Sequence, residues 1–323
     1  MQRWADPAEI PGGFGPSVVT LGNFDGVHRG HRGVLTAVLE QARSRGAQAV
    51  AVTFDPHPLA VLHPERAPEL LTTSEHRAQL LADCGLDALL TMEFTPALAS
   101  WTPEEFVRRI FVERLGAVAV VVGADTRFGV HNSGDVHTLR RLGAAYGFDT
   151  VVLEDLAAAG ERRWSSSTAR RDIVAGDVEG AAAVLGRPHR VSGEVVHGDH
   201  RGRELGYPTA NLDENAGGLV PADGVYAGWL VRLGLGADDP ERTLPAALSV
   251  GTNPTFQGTQ RRVEAYVLDR TDLDLYGEQV AMEFVQRLRA TEKFDSVDAL
   301  LDQMRQDVEQ CRHLLHTVVP PAS

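Results

Sequence analysis

The sequence predicts an α/β chain in two parts, a doubly wound parallel sheet followed by an antiparallel β-rich region closed by one helix. Three observations predict it. Apolar strands alternate with amphipathic helices as far as Leu185, and short β runs without a helical period follow Gly186-Arg187-Pro188. The length, 323 residues, also suits two cores better than one. In the first part, Ser17 to Leu21 reads as a strand. His31, Val34, Leu35, Val38, Leu39 and Ala42 then share one helical face, and the run from Ala47 to Phe54 is the next strand. Leu86 to Met92, Val118 to Gly123 and Phe148 to Leu153 are further strands. Thr102-Pro103-Glu104-Glu105 is a capping box with proline at the first helical position. Helices open near Ser167 and at Asp177. Beyond Pro188 the strands are Val191 to Val196, Gly224 to Arg232, Ala246 to Val250, Val263 to Leu268 and Gln279 to Val285. This texture fits a barrel or a sandwich. A helix capped near Ser296 ends the chain, with Val297, Leu300, Leu301, Met304, Val308, Cys311 and Leu315 as its apolar stripe. The predicted boundaries are residues 1–187 and 188–323.

Composition narrows the chemistry. With 43% hydrophobic and 23% charged residues the chain is an ordinary globular one. Its net charge, 31 − 44 = −13, disfavours a nucleic-acid groove and points to small-molecule partners. No apolar run is long enough for a membrane span and the first thirty residues lack a signal-peptide pattern, so a cytoplasmic location without membrane partners is expected. Monomer and homo-oligomer are both left open. Cys84 and Cys311 are too few and too far apart for a disulfide framework and read as buried fillers. Lys293 is the only lysine, and no glycine-rich P-loop surrounds it. Bound phosphates must therefore be held by arginine, histidine, Mg²⁺, backbone amides or hydroxyls.

The segment Gly22-Asn23-Phe24-Asp25-Gly26-Val27-His28-Arg29-Gly30-His31 joins the first strand to the first helix. Two imidazoles and free helix N-terminal amides there can address one anion, and Gly30 permits a close backbone approach. Two arbitrary loop histidines would merely be exposed, but the strand-loop-helix context favours a phosphate. Ser166-Ser167-Thr168-Ala169-Arg170-Arg171 suits a triphosphate in the same way, although alone it would be an N-cap. Later in the chain, Thr209 and Asn211 lie two apart on an extended segment and face one side, as oxygen ligands for a hard cation would. Taken alone, Gly206-Tyr207-Pro208-Thr209 reads better as a plain turn leading into a strand, and the later segments change that balance. Glu264 shares a strand face with Tyr266 and Leu268, so it is either a solvent-facing charge or a base tuned by its neighbours.

His28-Arg29-Gly30-His31 resembles the HxGH signature of the nucleotidyltransferase superfamily. More narrowly, GNFDGVHRGH, FDPHP (Phe54 to Pro58), VGAD-x-RFG (Val122 to Gly129) and SST-x-x-R (Ser166 to Arg171) resemble the adenylyltransferase half of prokaryotic bifunctional riboflavin kinase/FAD synthetases. GYPTAN, GVYA, GTNPTF, RRVEAYVLD, DLYG and LRATEKF resemble the kinase half. The resemblance implies a Rossmann-like nucleotidyltransferase domain followed by a six-stranded antiparallel barrel with a terminal helix. It implies phosphorylation of riboflavin to FMN and adenylylation of FMN to FAD, both from ATP with Mg²⁺. In the first half it assigns catalysis to His28 and His31. ATP binding falls to Gly22, Asn23, Phe24, Asp25, Gly30, Asp125, Ser167, Thr168 and Arg171, and flavin binding to Phe54, Pro56, His57, Pro58 and Phe128. In the second half Glu264 is the base, and Gly198, Gly202, Thr209 and Asn211 bind ATP. Thr209 and Asn211 also face the metal, while Arg289, Glu292 and Phe294 close the flavin pocket. Thr126, Asn132, Ser165 and Arg170 depart from the family pattern. Competing readings are another adenylyl or cytidylyl acceptor, a metallohydrolase cluster of His28, His31, Asp25, Asp55 and His57, and a flavin-binding sensor without turnover.

Overall fold

The computed structural model describes residues 1–154, 164–198, 206–255 and 258–318. The chain divides into two compact units, residues 1–69 with 74–164 and residues 70–73 with 165–323.

The first unit is built on strands β1 (Gln2–Trp4), β2 (Ser17–Leu21), β3 (Gln48–Asp55), β4 (Ala88–Glu93), β5 (Ala117–Gly123) and β6 (Asp149–Leu153). All are parallel, in the order β1-β4-β3-β2-β5-β6. The central strands are covered on both faces, which is why they read as continuous apolar runs. On β2, Val18 faces one core cluster and Val19 the other. Helices α1 (Arg29–Arg45), α2 (Pro58–Leu62), α3 (Ser74–Asp83), α4 (Pro96–Ala99), α5 (Pro103–Phe106) and α6 (Val136–Tyr146) belong to this unit. On α1, Leu35, Val38 and Ala42 are the buried stripe, and Gly46, at φ 58°, caps its C-terminus in the left-handed region. The capping box at Thr102 and Glu105 forms as the sequence expects, and α5 continues into a π-helical turn over Val107–Val112. The strand order reverses beside β2, so the loops after β2 and β5 flank the crevice where such sheets bind ligands.

The second unit contains α7 (Ser166–Ala175) and α8 (Val178–Leu185) and a closed barrel of β7 (His189–Val196), β8 (Ala210–Leu212), β9 (Gly224–Arg232), β10 (Thr243–Thr255), β11 (Gly258–Val267) and β12 (Gln279–Arg289). Its strands follow the order β10-β11-β8-β7-β12-β9, antiparallel throughout. A barrel rather than a sandwich results, because β9 pairs with both β10 and β12 and closes the sheet on itself. Val263, Ala265 and Val267 point into the barrel core with Tyr226, Leu248, Met282 and Phe284. Ala227, Trp229, Val231 and Ala281 face outward and are covered by α9 (Val297–Thr317) through Cys311 and Leu315. The expected apolar stripe of α9 needs one correction. Val297 is exposed, because the helix docks through its later turns, where Asp307, Cys311 and Leu315 are buried. Cys84 is likewise only half-buried, and the two cysteines are not joined in a disulfide.

Candidate active sites

The loop from Gly22 to His28 is held in an unusual backbone. Phe24 (φ 49°), Gly26 (φ 80°) and Val27 (φ 38°) all occupy the left-handed region, which is costly for a bulky or β-branched residue. Phe24 and Val27 are buried in the core beneath β2 and α1, and this anchoring supports the conformation. His28 is the N-cap of α1, its Nδ1 accepting from the His31 N–H at 3.3 Å. The two imidazoles stack with centroids 3.6 Å apart. Burial, and secondarily the neighbouring His28, hold the His31 pKa well below its ordinary value. His31 Nδ1 is buried without a hydrogen-bond partner. Two stacked imidazoles at a helix N-terminus, one with an unsatisfied ring nitrogen, form a site that an anion would complete. A Cβ on Gly30 would lie 3.1 Å from the His28 ring and from the Trp164 carbonyl, so glycine there leaves room for the imidazole itself.

The next loop is tied to this one. His57 caps α2, its Nδ1 accepting from Leu59 N–H at 3.1 Å. Its Nε2 lies 3.0 Å from Asn23 Nδ2, so this contact ties the loop after β3 to the loop after β2. Pro58 takes the first helical position of α2 and Pro56 is exposed. Phe54 and Phe128 both approach Phe106 of α5, with centroids at 6.2 and 6.3 Å. Asp125 is exposed just beyond β5. Arg77, only 3% exposed on α3, donates to the carbonyls of Asn23 (3.3 Å) and Phe54 (3.2 Å).

Ser167, Thr168 and Arg171 lie on the first turns of α7, in the second unit. Ser165, which departs from the family pattern, is the N-cap of that helix and accepts from Thr168 N–H at 3.2 Å. Arg171 bonds the buried Asp172 at 3.3 Å. Asn132 has a similar local reason. It follows His131 in a turn where both have positive φ, a conformation asparagine tolerates.

In the barrel, Glu264 of β11 is directly opposite Asn211 of β8, so their side chains share a face. Thr209 Oγ1 donates to Glu264 Oε2 at 3.4 Å and accepts from Asn211 Nδ2 at 3.3 Å. A Cβ on Gly198 would sit 2.7 Å from Asn211 Nδ2, so only glycine lets the amide lie there. Gly202 lies outside the described residues. The carboxylate, hydroxyl and amide are all hard oxygen donors, the set that suits Mg²⁺. Arg289 makes a bidentate pair with the buried Asp307 of α9 and lies over the Phe294 ring at 5.6 Å. It therefore fastens the terminal helix as well as flanking Phe294. Glu292 is exposed.

Comparison with known proteins bears on both sites. A family model for FAD synthetase matches residues 14–168 and one for riboflavin kinase matches residues 185–315. The bifunctional riboflavin kinase/FMN adenylyltransferase of Escherichia coli (strain K12) is 36% identical over 94% of this chain and 94% of its own. The chain belongs to the bifunctional riboflavin kinase/FMN adenylyltransferase family. The Pseudomonas fluorescens member is 35% identical over 92% of both chains. A crystal structure described as a macrolide-efflux protein from Streptococcus pneumoniae has a TM-score of 0.84 at 31% identity, covering 96% of this chain and 98% of that one. The described residues include no helix long and apolar enough to cross a membrane.

Among the described residues no group of three or more histidine, cysteine or carboxylate side chains is arranged to hold a metal, so the metallohydrolase alternative gains no geometric support. Phe106 and Arg77 escape sequence reasoning. Phe106 reads as one more apolar residue after a capping box, and Arg77 as a surface charge on a short helix.

Proposed function

We propose that residues 1–187 transfer the adenylyl group of ATP to FMN and that residues 188–323 phosphorylate riboflavin, the two steps of FAD synthesis in the cytoplasm. The observation that carries the reading is a pair of separate phosphate-handling sets in one chain. Stacked imidazoles stand at the N-terminus of α1, and a carboxylate–hydroxyl–amide set stands on β8 and β11.

In the kinase step Glu264 accepts the proton of the ribityl hydroxyl as that oxygen bonds to the γ-phosphorus and the bond to the departing ADP breaks. The hydroxyl of Thr209 orients the carboxylate, and Asn211, seated over Gly198, holds the hydroxyl. Thr209 and Asn211 would hold Mg²⁺, which supplies neutralisation of the phosphate charge. Arg289, Glu292 and Phe294 border the flavin. In the adenylyl step an FMN phosphate oxygen bonds to the α-phosphorus while the bond to pyrophosphate breaks. His28 and His31 stabilise the charge that builds on the α-phosphate, aided by the α1 amides. Gly22, Asn23, Phe24, Asp25, Gly30 and Asp125 serve the nucleotide. Phe54, Pro56, His57, Pro58 and Phe128 serve the flavin.

The test is incubation of the full chain with riboflavin, ATP and Mg²⁺, with flavins separated over time. FMN should appear first and FAD should follow. Accumulation of FMN alone, even with FMN supplied in excess, would remove the adenylyl assignment.

A further inference from the structure

We propose that Arg77 is a positioning residue for FMN adenylylation, a buried cation that holds the loop after β2 and the loop after β3 in one fixed relation. The proposal rests on the reading of the first half as the adenylyltransferase.

A guanidinium at 3% exposure is expensive to bury, and an apolar side chain would fill the space at lower cost. Its bonds account for what it does instead. One terminal nitrogen donates to the Asn23 carbonyl at 3.3 Å, and the other to the Phe54 carbonyl at 3.2 Å and to Ser74 Oγ at 3.1 Å. Asn23 and Phe54 sit at the ends of neighbouring strands, β2 and β3. The planar fork can reach both carbonyls at once, which a single ammonium does less well.

The surroundings supply the compensating charge. Asp55 and Asp25 both act electrostatically on Arg77, though burial outweighs them and lowers its pKa. Ser74 Oγ also donates to Asp55, joining that carboxylate to the same network. The Asn23 carbonyl accepts from Thr53 Oγ1 at 3.2 Å as well, and the Asn23 side chain meets His57 Nε2. Arg77 thus sits behind the two loops and touches their backbones. One of these loops carries the strained stretch from Phe24, and the other, which follows Phe54 and Asp55 at the end of β3, carries His57. Loosening it would let the nucleotide and flavin loops drift apart, and ångström-scale misplacement of reactants costs on the order of 100-fold in rate.

The experiment uses full-length Arg77→Met and Arg77→Lys with Ser74→Ala as a milder variant. FAD formation from supplied FMN and ATP, FMN formation from riboflavin, and thermal unfolding are measured on each. In Arg77→Met, kcat/KM for FAD formation should fall on the order of 100-fold, with KM for both ATP and FMN raised. Riboflavin phosphorylation should stay within about twofold of wild type, and Arg77→Lys should recover roughly tenfold of the loss. If Arg77→Met does not fold, Ser74→Ala decides through a rise of about threefold or more in KM for FMN. The proposal is overturned if folded Arg77→Met makes FAD within about threefold of wild type, or loses kcat with both KM values unchanged. It is overturned equally if Ser74→Ala, standing in for an unfolded Met variant, leaves both KM values at wild type. A wild-type chain that makes FMN but never FAD would instead sink the reading on which the proposal rests.

Discussion

Single residues in the first unit are poised by burial. The folded state holds His31 with a pKa well below 6.5, the ordinary value it regains on unfolding. Below that ordinary value the unfolded chain therefore takes up a proton that the folded chain refuses. Folding stability contributed by this group is complete above pH 6.5 and declines as the pH falls beneath it. The unfolding temperature should accordingly fall on acidification, with a shallower fall in His31→Gln, measured by a series of thermal melts from neutral pH downward. The thiols differ for a related reason. Burial, with Asp307 nearby, pushes Cys311 up to about 12, whereas Cys84 is half-buried. A thiol reagent under native conditions should label Cys84 first, and mass spectrometry of the digested protein should find Cys311 modified only after denaturation. None of this environment is legible from the residues alone. The HxGH spacing located both histidines, but the stacking and the unsatisfied Nδ1 depend on Val27 and Phe24 being pinned in the core.

Elements divide into those with a local signature and those without one. The bounds of β2 and β9 follow the apolar runs Ser17–Leu21 and Gly224–Arg232, and Thr102 caps α5 as its capping box requires. Thr102→Ala should cost about 1 kcal/mol in a denaturant titration. By contrast β1 is three residues long with only Trp4 buried, too short to show a period, and it exists because Gln2 to Trp4 pair with β4. Strand β10 runs from Thr243 to Thr255, beyond the apolar Ala246 to Val250, because ladders to β9 and β11 extend it through Pro245 and Asn253. The docking of α9 also rests on a tertiary pair. Arg289 and Asp307 are bonded with side chains 17% and 6% exposed. Asp307→Ala leaves the arginine unpaired, and should lower unfolding free energy by about 3–5 kcal/mol in urea titration. At the barrel site Gly198→Ala should depress riboflavin phosphorylation, since the added methyl would meet Asn211. A steady-state kinase assay checks it.

At the scale of the whole molecule the two activities should fail separately. Glu264→Ala should reduce FMN formation by about 10²–10⁴-fold, as expected for loss of a general base, while FAD formation from supplied FMN survives. His28→Ala should do the reverse. Flavin separation on both variants checks the pair, and loss of both reactions in either folded protein would contradict two independent sites. The sequence by itself determined the order of the two folds, the strand-loop-helix that presents His28 and His31, and the candidate set Thr209, Asn211 and Glu264. Those are local facts, written in periodicity, turn residues and motif spacing. Only the tertiary structure decided that Glu264 stands opposite Asn211, that Arg289 fastens α9, and that Arg77 lies buried between two loops. Each of these depends on residues far apart in the chain meeting across strand registers and core packing, and a single pass along a sequence carries no record of which distant segment will supply the partner.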